Sequence, residues 1–218
     1  LIMSECMSDK IVNHLVSTYF LFPSIDPLLL PMNVATRPLM GSGKGIEYIK
    51  KYINRLKYKY DKVYILKCDI SKYFYSIDHE ILLAKLAGLI NDEKVFNLVK
   101  EIIISTDREY VNECISKAIN REKCRLEKLS INDYKEHINS LKSIPLYQKG
   151  KGLPIGNMTS QILAVYYLND LDHYIKEKLR IKYYVRYMDD FILFHEDKQY
   201  LKYCLGEIEK KLAEVKLK

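Results

Sequence analysis

Apolar positions recur at helical spacing along residues 4–22, where Ile11, Leu15 and Leu21 fall near one face with polar residues between them. The next stretch, 23–43, holds Pro23, Pro27, Pro31, Pro38, Gly41 and Gly43 and reads as loop. A second helix is predicted over 45–59, with Ile46, Ile49, Ile53 and Leu56 inward. Val63-Tyr64-Ile65-Leu66 is a short β-branched and aromatic run, the pattern of a buried strand. Asp78 is a good N-cap for a helix through about Leu89, and residues 92–104 are helical again. Residues 105–150 are polar and ambiguous, with helical stretches and a loop ending in Lys149-Gly150-Lys151-Gly152. A long helix over 158–179 carries Ile162, Val165, Tyr166, Leu168, Leu171 and Ile175 as its apolar stripe. Two strands, Tyr183–Tyr187 and Phe191–His195, flank Met188-Asp189-Asp190. A helix over 197–213 follows, and Val215–Lys218 alternates like the start of another strand. Helices and strands are mixed around one tight hairpin, which is an α+β pattern rather than a doubly wound sheet.

Composition changes little in this picture. The 218 residues are 48% hydrophobic and 29% charged, which excludes wholesale disorder. No apolar run approaches the ~18 residues of a membrane span, and the first residues lack a secretory signal. Leu1 is not an initiator residue, which points to a piece of a longer protein or a processed chain. The five cysteines are odd in number and form no CxxC pair, so neither a disulfide framework nor a zinc site is suggested, and a reducing cytoplasm fits. The five histidines are scattered, and Cys68 reads as a small buried residue.

Charge changes more. Residues 37–67 hold nine basic side chains against Glu47 and Asp61, so this one segment carries the whole formal charge of +7. Tyr48, Tyr52, Tyr58 and Tyr60 are interleaved with it. A basic stripe with aromatics is the footprint of a nucleic-acid backbone, and it is equally the pattern of a solvated helix face.

Three carboxylates stand in apolar surroundings. Asp69 ends the strand that begins at Val63, and Asp189 and Asp190 lie side by side between apolar strands. Adjacent carboxylates raise each other's pKa and strain the fold unless a cation is present. An Asp-Asp pair is also an ordinary polar turn, although a tight hairpin prefers Asn-Gly or Asp-Gly. Hard oxygen ligands suit Mg²⁺, and two such ions ~3.5–4 Å apart activate a 3′-hydroxyl and stabilise a leaving pyrophosphate. Residue chemistry therefore points to metal-dependent phosphoryl transfer on a nucleic acid.

Tyr187-Met188-Asp189-Asp190 resembles the Tyr-x-Asp-Asp box of reverse transcriptases, and it comes third in the order of that family's motifs. The segment from Cys68 to His79 resembles the first palm motif, and Gly152 to Gln161 resembles the second. Ser8–His14 and Asn33–Arg37 look like the late fingers region. The resemblance implies a right-hand polymerase with partial fingers over 1–62 and a palm over 63–218. It implies an antiparallel palm sheet backed by helices, an insertion at about 105–150 and no thumb. Asp69, Asp189 and Asp190 would be catalytic and would hold two Mg²⁺ ions, or Mn²⁺ in their place, with the Ile70 carbonyl completing a shell. Phe74 falls where the family places an aromatic gate against a ribose 2′-hydroxyl; core packing is its other reading, and Tyr73 and Tyr75 are alternatives. Pro154, Ile155, Gly156 and Gln161 would face the nucleotide, and Asn157 and Ser160 would face it or cap a helix. Arg37, Lys44, Lys50, Lys51, Arg55, Tyr187 and Met188 would contact nucleic acid. Arg186 is given a surface role toward the primer, and Asp170 and Asp172 are solvated or helix-packing residues.

The second motif departs from most relatives, with Ile155 replacing a Gln and Gln161 replacing a Pro. The variant looks like diversity-generating retroelement enzymes, within a bacterial branch that includes group II intron and retron enzymes. Loss of a side-chain hydrogen bond beside the base pair is a reason to expect reduced fidelity. Lys216 and Lys218 stand too early to be the family's lysine proton donor. The implied function is RNA-directed DNA synthesis, with template RNA, a DNA or RNA primer, deoxynucleoside triphosphates and an accessory protein as partners, and no membrane. A polymerase-like RNA-binding scaffold, or a group II intron maturase-type protein, are the alternatives.

Overall fold

The computed structural model describes residues 6–128 and 134–218; the parts of the expected N-terminal helix, fingers region and insertion that fall on 1–5 and 129–133 lie outside the described residues. Helix α1 (Met7–Val16) widens into a π turn over Ser17–Leu21 and runs on as α2 (Phe22–Ile25). After the proline-rich loop come α3 (Ser42–Lys59), strand β1 (Tyr64–Cys68), the one-turn α4 (Tyr73–Ser76), α5 (His79–Ala87) and α6 (Glu93–Ile104). Helices α7 (Glu109–Lys128) and α8 (Tyr134–Lys142) pack on each other within the insertion. Helices α9 (Met158–Tyr167) and α10 (Asn169–His173), strands β2 (Tyr183–Tyr187) and β3 (Asp190–His195), and α11 (Lys198–Glu214) complete the order.

The strands form one antiparallel sheet in the order β1-β3-β2, in which Leu66 and Tyr184 both lie opposite Leu193. Because side chains alternate along a strand, this register sorts the residues onto two faces. Leu66, Cys68, Phe191, Leu193 and Tyr184 turn toward the main core, with Ile162, Leu171, Cys204 and Ile208 beneath them. Tyr183, Ile192 and Phe194 turn the other way and are covered by Tyr52 and Leu56 of α3. The outer edge of β2 is not bare: Arg186 donates its N–H to the Met32 carbonyl at 3.0 Å, and Val34 donates to the Arg186 carbonyl at 3.0 Å.

Helix starts follow capping chemistry. Asp78, Asp92 and Asp197 each accept backbone N–H groups of the turn they begin. The expected apolar face of the first helix is corrected: Ile11 and Leu15 are 56% and 48% exposed, while Asn13 and Val16 are buried. Asn13 accepts a hydrogen bond from the Thr159 hydroxyl of α9 at 2.9 Å, so a polar contact chose the face that packs. In α3 the inward row is Gly45, Tyr52 and Leu56, and Ile46 is exposed. The long helix expected over 158–179 is broken at Leu168 and ends in a π turn over Tyr174–Lys178. Residues 215–218 form a turn rather than a strand, held by the Tyr167 hydroxyl on the Val215 carbonyl at 2.8 Å.

Arg186 and Asp172 are both wholly buried, which corrects the surface role given to Arg186 and, of the two readings of Asp172, leaves the packed one and not the solvated one. Arg186 donates from Nε to Asp172 Oδ1 at 2.7 Å and from Nη2 to Oδ2 at 2.6 Å. The carboxylate also accepts from the Tyr184 hydroxyl at 2.6 Å and from Asn33 Nδ2 at 3.3 Å. Asp170 does lie at the surface, where it pairs with Lys85.

The loop before α9 is fixed against α4 and α5. Gly152 donates to the Ile77 carbonyl at 2.7 Å, and Leu153 donates to the Phe74 carbonyl at 2.8 Å. The Gly152 carbonyl sits 2.7 Å from His79 Nε2 and accepts from the Thr106 hydroxyl at 3.0 Å. Gly152 has φ +92°, and a Cβ there would collide with the Tyr147 ring. Two outcomes follow in denaturant unfolding. Gly152→Ala lowers stability by about 1–3 kcal/mol, through overpacking and the left-handed backbone. Asp172→Ala leaves a buried guanidinium unpaired and costs about 3–5 kcal/mol.

Candidate active site

Asp69 and Asp190 are brought together by strand register. Cys68 is the last residue of β1 and lies opposite Phe191, so the next position on each strand sets Asp69 beside Asp190. Alternation puts both on the face that carries Lys67 and Tyr187, and Lys67 Nζ stands 3.4 Å from Asp190 Oδ1. Asp189 occupies the two-residue turn between β2 and β3, after Met188 at φ +56°. It is half-buried, while Asp69 and Asp190 are exposed.

Burial raises the Asp189 pKa above its ordinary value, and the charges of Asp69 and Asp190 add to the rise; the Arg186 charge opposes it. Three carboxylates from segments more than a hundred residues apart thus act on one another at one end of the sheet. Their all-oxygen donor set suits a hard divalent cation, whose charge would relieve this repulsion. Among the described residues, no three or more His, Cys, Asp or Glu side chains, these three carboxylates included, stand close enough together to hold a metal ion as they are. The cluster is open toward solvent on two of its three members.

A recess of about 220 Å³ runs beside this cluster, lined by Gly45, Ile46 and Ile49 of α3 and by Lys67, Tyr187 and Asp190 of the sheet. Helix α3 thus brings its first turns, through Ile49, to the carboxylate end of the sheet. Lys50, Lys51 and Arg55 are exposed on it, and Lys44 is paired with Glu47 at 2.8 Å. Arg37 departs from the expectation of a nucleic-acid contact. Its side chain is 12% exposed, and its guanidinium donates to Asp26 at 2.6 Å and to the carbonyls of Leu30 and Asn33. Those acceptors make it a clamp on the proline-rich loop.

The aromatic trio after Asp69 is divided by packing. Tyr73 is buried and donates its hydroxyl to the Ala164 carbonyl at 2.5 Å. Tyr75 lies against Tyr147 with ring centroids 4.7 Å apart. Phe74 is half-buried against the core edge, so it alone of the three has neither a hydroxyl partner nor a stacking ring beyond Tyr73. Ile70 is buried, and Tyr187 is 45% exposed. Ile155 and Gln161 are half-buried and Gly156 is exposed. Pro154 is buried and lines a separate recess of about 410 Å³ with Asp9, Asn13 and Thr106, away from the set that lines the first.

The pairing of Arg186 with Asp172 is what the sequence reading missed. The signal was present: Arg186 stands two residues from Tyr184, so both point to the inward face of β2. Arg186 Nη1 also donates to the Met188 carbonyl at 2.8 Å, directly at the turn that carries Asp189.

The chain matches the family model described as reverse transcriptase (RNA-dependent DNA polymerase) over residues 6–218. Among solved structures it is similar to apo telomerase from Candida tropicalis truncated from the C-terminal domain. That match has 13% identity and a TM-score of 0.55, and it covers 95% of this chain and 41% of the telomerase chain. A telomerase from Candida albicans, in complex with a fragment of telomeric RNA, matches at 16% identity with a TM-score of 0.46, covering 90% of this chain and 31% of that one. The chain thus spans less than half the length of these telomerases. A comparison with curated proteins found no match. The mixed helices and small antiparallel sheet are those of the fingers and palm of such enzymes. With the family model matched from residue 6 to residue 218, the chain belongs to the reverse transcriptase family.

Proposed function

We propose that this chain is the nucleotide-joining core of an RNA-directed DNA polymerase from a bacterial or phage retroelement. The observation that carries this reading is the meeting of Asp69, Asp189 and Asp190 at one sheet end, in a chain of the reverse transcriptase family. Asp69 and Asp189, with Asp190 and the Ile70 carbonyl, would hold two Mg²⁺ ions, or Mn²⁺ in their place. Such ions, when bound, acidify a primer 3′-hydroxyl and neutralise the leaving pyrophosphate.

The protein's own groups supply position. Exposed Lys50, Lys51 and Arg55 on α3 would follow template or primer phosphates by charge, without reading sequence. Tyr187 and Met188 would support the primer end beside the carboxylates. Phe74 would stand against the 2′ position of an incoming nucleotide, and residues 154–156 with Gln161 would face its base. Fingers would occupy 1–62 and palm 63–218. The apolar Ile155 in the second motif supports a kinship with diversity-generating retroelement enzymes and a relaxed reading of the base pair.

The test is Mg²⁺-dependent incorporation of deoxynucleotides on a primed RNA by the full-length protein. Asp189→Asn is expected to lower the rate by roughly 10²–10³-fold or more with folding intact. Equal rates for variant and wild type would remove the polymerase reading. In competition assays, Phe74→Val is expected to raise ribonucleotide use relative to deoxynucleotide by roughly 10–100-fold. An unchanged ratio would assign Phe74 to core packing.

A further inference from the structure

The turn that carries Asp189 is held from below by one side chain. Met188 has φ +56°, a region that residues with a Cβ enter rarely. Its carbonyl accepts a hydrogen bond from Arg186 Nη1 at 2.8 Å. That carbonyl belongs to the Met188–Asp189 peptide unit, and the peptide unit is planar. Pinning its oxygen therefore also fixes the Asp189 nitrogen and Cα, from which the carboxylate projects. Arg186 is itself fixed at every other donor the structure shows: Nε and Nη2 on Asp172, at 2.7 and 2.6 Å, and Nη2 on the Val165 carbonyl at 3.0 Å. Asp172 is held in turn by Tyr184 and Asn33. The guanidinium fork thus ties α9 and α10, through buried contacts, to the hairpin tip, where its bond to Met188 is part-buried. A lysine would keep the charge, but its single ammonium lacks the fork that reaches the carboxylate and the turn together.

We propose that Arg186 is a positioning residue for Asp189, fixing the peptide plane of the hairpin turn so that the carboxylate is presented toward Asp69. The kinetic part of this proposal rests on the polymerase reading above; the conformational part does not.

The experiment compares wild type, Arg186→Lys and the control Tyr184→Phe in the full-length protein. Amide hydrogen exchange is read at residues 187–190, alongside melting and primer extension. Arg186→Lys is expected to melt cooperatively and to exchange its turn amides at least about tenfold faster, with α11 unchanged. Its kcat is expected to fall by about 10²-fold while the deoxynucleotide KM stays within about twofold, the mark of misplacement rather than lost binding. Tyr184→Phe keeps the Arg186–Met188 bond and is expected to exchange at the turn like wild type. Wild-type turn protection and kcat in a folded Arg186→Lys would overturn the proposal. Should that variant not fold, a crystal structure of the wild-type protein decides: Arg186 bonded to Asp172 but not to the Met188 carbonyl would also overturn it. If wild type and Asp189→Asn are equally inactive, the polymerase reading fails, and the exchange data still test the role of Arg186.

Discussion

A guanidinium with no exposed surface needs an anion with none, and the Arg186–Asp172 pair is the interaction around which the rest of this fold is arranged. Desolvating two charges costs several kcal/mol per ion in general, and attraction offsets this only when every remaining donor and acceptor is satisfied. Here they are satisfied by partners from four segments: Asn33 in the loop, Val165 on α9, Tyr184 on β2 and Met188 at the turn. Burial is the largest single influence and would make Arg186 easier to deprotonate, but the Asp172 charge and hydrogen bonds, with Tyr184 and Tyr73, together outweigh it and the net shift is upward. Tyr184 is pushed the same way, by burial first and then by Asp172, so it stays a neutral donor. A strictly apolar core could reach the same density, but it would leave the strand ends free to settle in more than one way. A bidentate ion pair admits one geometry.

That geometry matters because the sheet end is electrostatically unfavourable by design. Asp69, Asp189 and Asp190 raise the local cost of charge, and Lys67 beside Asp190 offsets little, since both are largely exposed. A protein selected for stability alone would place Asn-Gly in such a turn. A carboxylate perturbed by burial and by neighbouring charges, as Asp189 is, is the pattern expected where a site is organised for chemistry. The stable parts of the fold absorb this local cost: the continuous core beneath the sheet, and Tyr52 and Leu56 of α3 packed against Phe194 on the other face.

Much of this was legible in the sequence. Strand β2 was read with its observed bounds and β3 one residue short, since a carboxylate at Asp190 reads as turn although its backbone pairs with Tyr187. The capping role of Asp78 was equally plain. Three features were not legible, for different reasons. The first helix offers an apolar row at Ile11 and Leu15, and periodicity cannot say that Asn13 will find Thr159 and turn that row outward. The break at Leu168 has no proline or glycine to announce it. Asp172 looks like any helical acid until its partner, on a strand beginning eleven residues later, is known to face the same way. At the sheet end, Asp69, Asp189 and Asp190 stood out in the sequence by residue type, while the buried Arg186–Asp172 pair behind the turn was hidden by being ordinary arginine and aspartate.

The same polar links also explain why the proline-rich loop belongs with the sheet. Arg37 holds Asp26 and the carbonyls of Leu30 and Asn33, and Asn33 reaches Asp172. Met32 and Val34 pair with Arg186 along the outer edge of β2. A sheet edge is a row of unpaired backbone groups, open to any other strand. Filling it with this loop closes the edge and leaves no slack between the start of α3 and the hairpin. Helix α3 packs on the outer face of the same sheet through Tyr52 and Leu56, and the recess lined by Ile46 and Tyr187 lies between its first turns and the carboxylate end. On the proposed function, a strand of phosphates lying along α3 would meet the carboxylate end at a spacing set by that packing. Positioning of that kind lowers a barrier through entropy already lost on folding, so the reacting groups need not lose it again at each turnover.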